Sequence, residues 1–198
     1  MSAGSSGQKK ELIIAGHGGQ GVLFAGSCLA QAVLEEGQNV TYFPAYGAEV
    51  RGGACYSMVV VSGEVISSPI VNKADILIMM NCVSWKKFSG RLKSGGVVVA
   101  NSSLLSKEDL LVPEGVEAVK IFGIPVTDLA KKIGDERLAN VVMLGACVRR
   151  LKLFRQESLE QALKVILKNR PEWIELNIKA VEEGINYHDQ KETVDSKS

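Results

Sequence analysis

The sequence predicts an α/β fold with three layers, in which a Rossmann-like, mostly parallel but mixed sheet has helices on both faces and the C-terminus is helical. Short β-branched runs alternate with helical patterns, which is typical of βαβ units. The runs at 75–80 and 97–100 are almost wholly apolar, as in parallel strands covered on both faces. After Pro125 the apolar spacing becomes helical.

The predicted strands share aliphatic or β-branched residues. They cover residues 11–15, 39–43, 55–61, 65–67, 75–80, 97–101 and 117–122. The first helix is predicted over 22–36, because its apolar residues share one face and Gly37 is a typical C-terminal stop. Ser62-Gly63 indicates a hairpin turn between two strands, which makes the sheet mixed.

Four more helices are predicted beyond Pro125. They cover residues 126–133, 140–151, 157–168 and 171–187. The helix at 140–151 is apolar nearly all round and should be buried, and Pro171 suits the first turn of the last helix. We expect residues 11–188 to form one domain, residues 1–10 a flexible lead and residues 189–198 a disordered tail.

Composition argues against several functional classes. A net charge of +1 gives no basic field for nucleic acid or a membrane surface. The apolar runs are too short to span a bilayer, and nothing resembles a signal peptide, so a cytoplasmic protein is predicted. The four cysteines, which are expected to be buried free thiols, are too widely spaced for a zinc or iron–sulfur site. They are Cys28, Cys55, Cys82 and Cys147.

A glycine-rich loop joins the first predicted strand to the first helix. Its residues are Gly16, His17, Gly18, Gly19, Gln20 and Gly21. Three of the four glycines satisfy the spacing G-x-G-x-x-G in the strand–loop–helix context that this motif requires. Backbone N–H groups in such a loop can face an anion at the positive end of the helix. The loop therefore predicts a phosphate-bearing ligand, with a ligand-free tight turn as the alternative.

Two further features refine this prediction. A nicotinamide site expects a carboxylate at the end of the second strand, but that strand ends in Tyr42-Phe43-Pro44. Glu35 and Glu36 lie earlier and are interpreted as solvated surface. His17 can donate to a phosphate, or it can be a solvated loop side chain. The loop thus favours a phosphate-bearing ligand over NAD specifically.

A second loop follows the strand at 39–43 and is expected to face the glycine loop, because loops at the carboxyl ends of strands line the ligand crevice. Its candidate binding residues are Tyr46, Glu49, Arg51, Gly52 and Gly53. Arg51 can clamp a phosphate or carboxylate. Alternatively, Glu49 and Arg51 pair to brace the loop. Tyr46 either stacks on a ligand ring or fills the crevice.

Three motifs occur in an order that resembles a known family. They are G-H-G-G-Q-G-V at 16–22, F-P-A-Y-G-A-E-V-R-G-G at 43–53 and I-x-S-P at 66–69. Together they resemble the gamma subunit, or gamma domain, of the 2-oxoacid:ferredoxin oxidoreductases, over roughly residues 12–151. Within this family, Y-G-x-E-x-R-G-G is more similar to the 2-oxoglutarate branch than to the pyruvate branch.

The resemblance implies a subunit of an assembly that oxidatively decarboxylates a 2-oxoacid, reduces ferredoxin and captures the acyl group on coenzyme A. It implies alpha and beta partner subunits, with a delta subunit left open, that carry thiamine diphosphate and the iron–sulfur clusters. It also implies that residues 18–21 meet the pyrophosphate of coenzyme A and that Arg51 holds negative charge. No catalytic residue is assigned to this chain. A stand-alone nucleotide-binding module and a purely structural subunit remain alternatives.

Overall fold

The protein is described by a computed structural model, which covers residues 8–45 and 54–188. Six strands form one sheet. They are β1 (Lys10–His17), β2 (Asn39–Ala45), β3 (Ala54–Ser62), β4 (Ala74–Met79), β5 (Leu92–Asn101) and β6 (Lys120–Ile124). Their order across the sheet is β2-β3-β1-β4-β5-β6. Strands β1, β4, β5 and β6 pair in parallel, whereas β3 is antiparallel to both β1 and β2. The predicted mixed, mostly parallel sheet is confirmed.

Six helices accompany these strands in the described part of the chain. They are α1 (Val22–Glu35), α2 (Cys82–Phe88), α3 (Val126–Ile133), α4 (Ala139–Leu151), α5 (Gln156–Ile166) and α6 (Ile174–Asn186). All five predicted helices are confirmed, although residues 171–173 form a separate 3-10 turn before α6. Helix α2 was not predicted, because seven residues are too few to show an apolar period. Its one local signal is Asn81, whose side chain accepts a hydrogen bond from the Ser84 N–H at 2.9 Å.

Two predictions in the middle of the chain are wrong. Residues 65–67 form no strand, and Ser62-Gly63 therefore ends β3 without starting a hairpin. The physical reason is that the chain leaves the sheet there: Val65 is 93% exposed, so its side chain packs against no other layer. The predicted flexible lead and disordered tail fall largely on residues 1–7 and 189–198, which lie outside the described residues.

Each face of the sheet carries its own apolar layer. One face packs against α1 and α4, and α3, α5 and α6 extend the same apolar cluster by packing on these two helices. The opposite face is covered by Trp85 and Phe88 of α2 and by Leu105 and Leu110 of the segment that joins β5 to β6. Helix α1 thus lies on one face, and α2 lies on the other.

Helices α4 and α6 approach each other through two glycines. A Cβ atom on Gly145 would overlap the backbone carbonyl oxygen of Val181. A Cβ atom on Gly184 would likewise overlap the carbonyl oxygen of Val142. Both glycines are therefore required by close backbone contact between the helices, not by a turn.

Glu36 joins the end of α1 to the start of α5 and is not the solvated residue that the sequence suggested. Its carboxylate accepts hydrogen bonds from the Arg155 backbone N–H at 2.9 Å, from Arg155 Nε at 3.1 Å and from the Ser158 hydroxyl. Burial alone would raise the pKa of this carboxyl, but the hydrogen bonds from Ser158 and Arg155 lower it below 4.5 overall. Glu36 therefore stabilises the fold in its ionised form.

This lowered pKa predicts how Glu36→Gln changes the pH dependence of stability. A depressed folded-state pKa contributes stability that is present above the ordinary value near 4.5 and is lost as pH falls through the folded-state pKa. We expect the variant to be less stable than the wild type at pH 7, with the difference shrinking on acidification. Urea unfolding at a series of pH values measures it. A difference that stays constant from neutral to acidic pH would contradict this role of Glu36.

Candidate functional site

The candidate site lies at the carboxyl ends of β1 and β4, where the direction of strand connection reverses. After β1 the chain crosses to α1 on one face, and after β4 it crosses to α2 on the other. In open α/β sheets ligands bind in the crevice at such a switch point. Strand β2 is separated from β1 by β3. It still runs in the same direction as β1, so its carboxyl end reaches the same edge.

The four glycines of the loop have different roles. Gly16 is buried, and a Cβ there would meet Gln20 Oε1 and Val22 Cγ2 at 2.7 Å. Gly21 has φ 66°, and a Cβ there would overlap the side-chain amide of Asn140. Gly18 and Gly19 are exposed, and a Cβ on either would meet nothing within 4 Å. Gly16 and Gly21 are therefore required by packing, whereas Gly18 and Gly19 leave open space above the loop.

The loop backbone leaves hydrogen-bond donors available. The Gln20 N–H donates to the His17 carbonyl at 3.2 Å, and the His17 N–H donates to Gln20 Oε1 at 3.0 Å. By contrast, no hydrogen bond joins the N–H groups of Gly18, Gly19 or Gly21 to any other residue that the structure describes. These donors lie at the positive end of α1, where an anion is stabilised by both the N–H groups and the helix dipole.

The side chain of Gln20 is committed to the fold. Its Oε1 also accepts from Asn81 Nδ2 at 2.8 Å, and its Nε2 donates to the Met80 carbonyl at 3.4 Å. Asn101 Nδ2 lies 3.3 Å from the same carbonyl. These bonds link the ends of β1, β4 and β5 beneath the glycine loop. That Gln20 meets a ligand stays a prediction, and here its side chain is used to brace the crevice.

The second predicted loop begins and ends beside the glycine loop. Ala45 ends β2, and Ala54, at the start of β3, pairs with His17 at the end of β1. His17 is exposed, with Nδ1 2.8 Å from the Gly18 carbonyl oxygen. The candidates on this loop itself lie outside the described residues and stay predictions. They are Tyr46, Glu49, Arg51, Gly52 and Gly53.

Two cavities flank the glycine loop. The first, here called the switch-point cleft, measures about 410 Å³ and is lined by His17, Gly19, Thr127, Lys131 and Arg137 among others. The second, here called the tryptophan cavity, measures about 300 Å³. Its wall includes Gly19, Gly21, Phe24, Arg137, Asn140, Arg170 and Trp173. Gly19 and Arg137 line both cavities, so the two spaces share a border.

Arg137 is held in place at this border. Its Nη2 lies 2.6 Å from Asp135 Oδ2, and its Nε lies 3.0 Å from Asp135 Oδ1. The hydrogen bonds from the guanidinium lower the pKa of the Asp135 carboxyl. Arg137 Cζ also lies 5.0 Å from the centre of the Trp173 ring. Lys131, on the cleft side, lies 3.5 Å from Glu136.

Sequence reasoning missed Lys131, Arg137 and Trp173 as site residues. They follow the glycine loop by more than a hundred positions, and no local pattern brings them to it. The only indirect signal for Arg137 and Trp173 is their position in short segments just before helices, which places their side chains near helix N-termini.

The described residues contain no group of three or more His, Cys, Asp or Glu side chains placed to hold a metal ion. Cys28 and Cys147 are buried thiols as predicted, and burial raises the pKa of Cys28 to about 12. Cys55 and Cys82 are only partly buried, which corrects the prediction for that pair, because both lie at strand or helix ends. Across residues 8–45 and 54–188, every helix is too short or too polar to cross a membrane.

Comparison with known proteins shows the family to which the chain is similar. A sequence profile described as pyruvate ferredoxin/flavodoxin oxidoreductase matches residues 11–187. Subunit KorC of the 2-oxoglutarate synthase of Methanocaldococcus jannaschii is 38% identical over 157 residues, which cover 78% of this chain and 82% of that protein. The ketoisovalerate oxidoreductase subunit VorA of Methanothermobacter thermautotrophicus is 37% identical over 175 residues, covering 88% of this chain.

Comparison with solved structures leads to the same class of protein. The gamma subunit of a keto/oxoacid ferredoxin oxidoreductase from Geobacter sulfurreducens superposes with a TM-score of 0.71 at 31% identity, covering 88% of this chain and 95% of that one. The matched region is only 35% of the VorA relative, so the chain spans about a third of that protein's length. The resemblance to gamma subunits is confirmed: the chain belongs to the pyruvate ferredoxin/flavodoxin oxidoreductase family.

Proposed function

We propose that the chain is the gamma component of a cytoplasmic 2-oxoacid:ferredoxin oxidoreductase. The assembled enzyme would oxidatively decarboxylate a 2-oxoacid, reduce ferredoxin and release the acyl group as its coenzyme A thioester. The proposed 2-oxoacid is 2-oxoglutarate. It is supported by the Y-G-x-E-x-R-G-G motif and by the KorC relative, which this chain matches over 82% of that protein's length.

Within that assembly, the chain is proposed to bind the pyrophosphate of coenzyme A on the glycine loop. The observation that carries this proposal is that the N–H groups of Gly18 and Gly19 have no partner among residues 8–45 and 54–188 and that open space lies at both glycines. Lys131 and Arg137 also line the adjoining cleft, where they are paired with Glu136 and Asp135, and Arg51 would add positive charge from the neighbouring loop. A polyanion is thus favoured by the backbone donors and by the helix dipole.

The redox chemistry is proposed to lie on partner subunits. The alpha and beta subunits would hold thiamine diphosphate and the iron–sulfur clusters, as the resemblance to gamma subunits implies. The described residues of this chain contain no group of three or more His, Cys, Asp or Glu side chains placed to hold a metal ion. A delta subunit is a further possible member. The chain would contribute coenzyme A binding and subunit docking but no catalytic residue. Sustained 2-oxoacid oxidation by the purified chain alone would contradict this division of labour.

The variant Gly18→Ala tests the loop as the pyrophosphate site. A Cβ at this position meets nothing within 4 Å in the described part of the chain, so stability should not change, but the methyl group would occupy the space that a phosphate needs. We expect coenzyme A to bind the wild-type chain in preference to NADH and ATP, and the variant to bind it about tenfold more weakly. Calorimetric titration measures both affinities.

Gly90→Ala is the matched control. Gly90 also has open space around its Cβ position, and it lies in the 3-10 turn after α2, outside both cavities. This variant should bind coenzyme A as the wild type does. If Gly18→Ala and Gly90→Ala bind coenzyme A equally well, the pyrophosphate does not lie on the glycine loop.

A further inference from the structure

The side chain of Asn81 joins the glycine loop to the start of α2. Asn81 lies between β4 and α2 and is only 8% exposed. Its Oδ1 accepts a hydrogen bond from the Ser84 N–H at 2.9 Å, and its Nδ2 donates to Gln20 Oε1 at 2.8 Å. One buried amide therefore links the loop that follows β1 with the helix that follows β4.

The direction of these hydrogen bonds is fixed by two backbone groups. The Ser84 N–H can only donate, so Asn81 turns its oxygen toward Ser84 and its amino group toward Gln20. The His17 N–H can also only donate, and it lies 3.0 Å from Gln20 Oε1. If the Gln20 amide were turned over, its amino group would face two donors. The hydrogen bonds from Ser84 to His17 are therefore satisfied in one arrangement of the two amides.

Gln20 closes the exposed part of the glycine loop into a turn. Its Oε1 accepts from the His17 N–H, and its own backbone N–H donates to the His17 carbonyl at 3.2 Å. Gly18 and Gly19 lie between these two residues, and their N–H groups bond to no residue that the structure describes. The conformation that leaves both donors free thus depends on where the Gln20 side chain is held.

Asn81 makes the shorter of the two hydrogen bonds that tie the Gln20 side chain to the end of β4. In the other, Gln20 Nε2 donates to the Met80 carbonyl at 3.4 Å, and Asn101 Nδ2 lies 3.3 Å from the same carbonyl. A bond of 2.8 Å between partly buried amides is stronger than one of 3.4 Å that shares its acceptor. Asn81 is therefore the stronger tether of Gln20 on this side of the loop.

We infer that Asn81 is a positioning residue for coenzyme A binding. It acts through Gln20 and holds the turn at residues 17–20 in the conformation in which its free N–H groups meet the pyrophosphate. A loop that is already fixed in this form loses less conformational entropy when the ligand binds. Because the same side chain caps α2, the affinity for coenzyme A is tied to the start of that helix. This inference rests on the proposed binding of coenzyme A to the glycine loop.

Asn81→Ser separates this role from helix capping. Serine is also a good N-cap residue, so α2 should be kept, but its side chain is too short to reach Gln20. We expect the variant to bind coenzyme A about 3- to 10-fold more weakly in calorimetric titration, as the loss of one hydrogen bond implies. In the assembled enzyme, the KM for coenzyme A should rise by the same factor, while kcat at saturating coenzyme A stays unchanged. Urea unfolding checks that the variant is folded under the conditions of the titration.

Two further measurements test whether Asn81 acts through Gln20. Gln20→Ala removes the amide that Asn81 holds, so adding Asn81→Ser to this variant should cause no further loss of affinity. The His17 N–H, which donates to Gln20 Oε1, reports on the turn directly. Its hydrogen exchange, followed by NMR, should be faster in Asn81→Ser than in the wild type.

Asn101→Ser is the matched control. Asn101 is also a buried amide at the end of a strand, where its Oδ1 accepts from the Ser103 N–H at 3.2 Å and its Nδ2 donates to Thr127 Oγ1 at 2.9 Å. Within the described part of the chain it makes no hydrogen bond to residues 17–20. We expect this variant to bind coenzyme A as the wild type does, even if it is less stable, and to leave the exchange of the His17 N–H unchanged.

The outcomes separate this inference from the proposed function. If Gly18→Ala weakens coenzyme A binding but Asn81→Ser does not, Asn81 has no positioning role and the proposed function stands. The same conclusion follows if Asn81→Ser causes an equal loss of affinity with and without Gln20→Ala, or if Asn101→Ser weakens binding as much as Asn81→Ser. Binding of coenzyme A to neither the chain nor its assembled complex overturns both.

Discussion

Gly145→Ala is expected to lower the free energy of unfolding by about 3 kcal/mol, although it adds only one methyl group. The methyl group would overlap the Val181 carbonyl oxygen of α6, which cannot rotate away as a side chain can. Helices α4 and α6 must therefore separate, and apolar surface on both is exposed to water. An alanine normally favours a helix over glycine, so helix propensity alone predicts the opposite sign.

Urea unfolding measures this loss, with Gly90→Ala as a control in open space. The same contact is tested from the other helix by Gly184→Ala, whose methyl group would overlap the Val142 carbonyl oxygen. The double variant should lose less than the sum of the single losses, because one separation of the helices relieves both overlaps. A single variant as stable as the wild type would show that the helices do not pack as closely as described.

Gly21→Ala is expected to lower the free energy of unfolding by about 2–3 kcal/mol and to weaken coenzyme A binding as well. Two effects add at this position. The backbone has φ 66°, which is unfavourable for any residue with a Cβ. The new methyl group would also displace the Asn140 amide, which now donates to the Gly21 carbonyl at 3.0 Å. The start of α1 and the wall of the tryptophan cavity should both be disturbed.

Gly19→Ala separates the two effects, because Gly19 has φ 93° but open space around its Cβ position. Gly19→Ala should lower the free energy of unfolding only through the backbone strain, by about 1–2 kcal/mol. When Asn140 is already alanine, Gly21→Ala should lower the free energy of unfolding by no more than this amount. Thermal or urea unfolding of the four variants provides the comparison. Equal losses for Gly19→Ala and Gly21→Ala would mean that the Asn140 contact contributes nothing.

The sequence predicted the elements that depend on local pattern. The glycine loop, the helices at α1 and α3–α6 and the apolar strands β4 and β5 all follow from spacing within about a dozen residues. It did not predict that β3 inserts between β2 and β1, because strand pairing is decided between residues far apart in the chain. The false strand at 65–67 has β-branched residues but no partner, and β propensity without burial is weak.

The candidate site was predicted only in part for the same reason. The glycines carry a recognisable spacing, but Gln20 looks like a ligand contact in the sequence and braces the ends of β1 and β4 in the structure. Arg137, Asn140 and Trp173 come to the loop through the packing of α4 and α6. A side chain whose neighbours are set by tertiary packing cannot be assigned to a site from local pattern.

The insertion of β3 has a consequence for how such a protein diversifies. Ala45 ends β2 and Ala54 begins β3, and both belong to strands whose register is fixed along their whole length. Substitutions, insertions or deletions between these two residues need not shift any strand pairing. One sheet can therefore carry many different connections between β2 and β3, while the scaffold that presents the glycine loop stays the same.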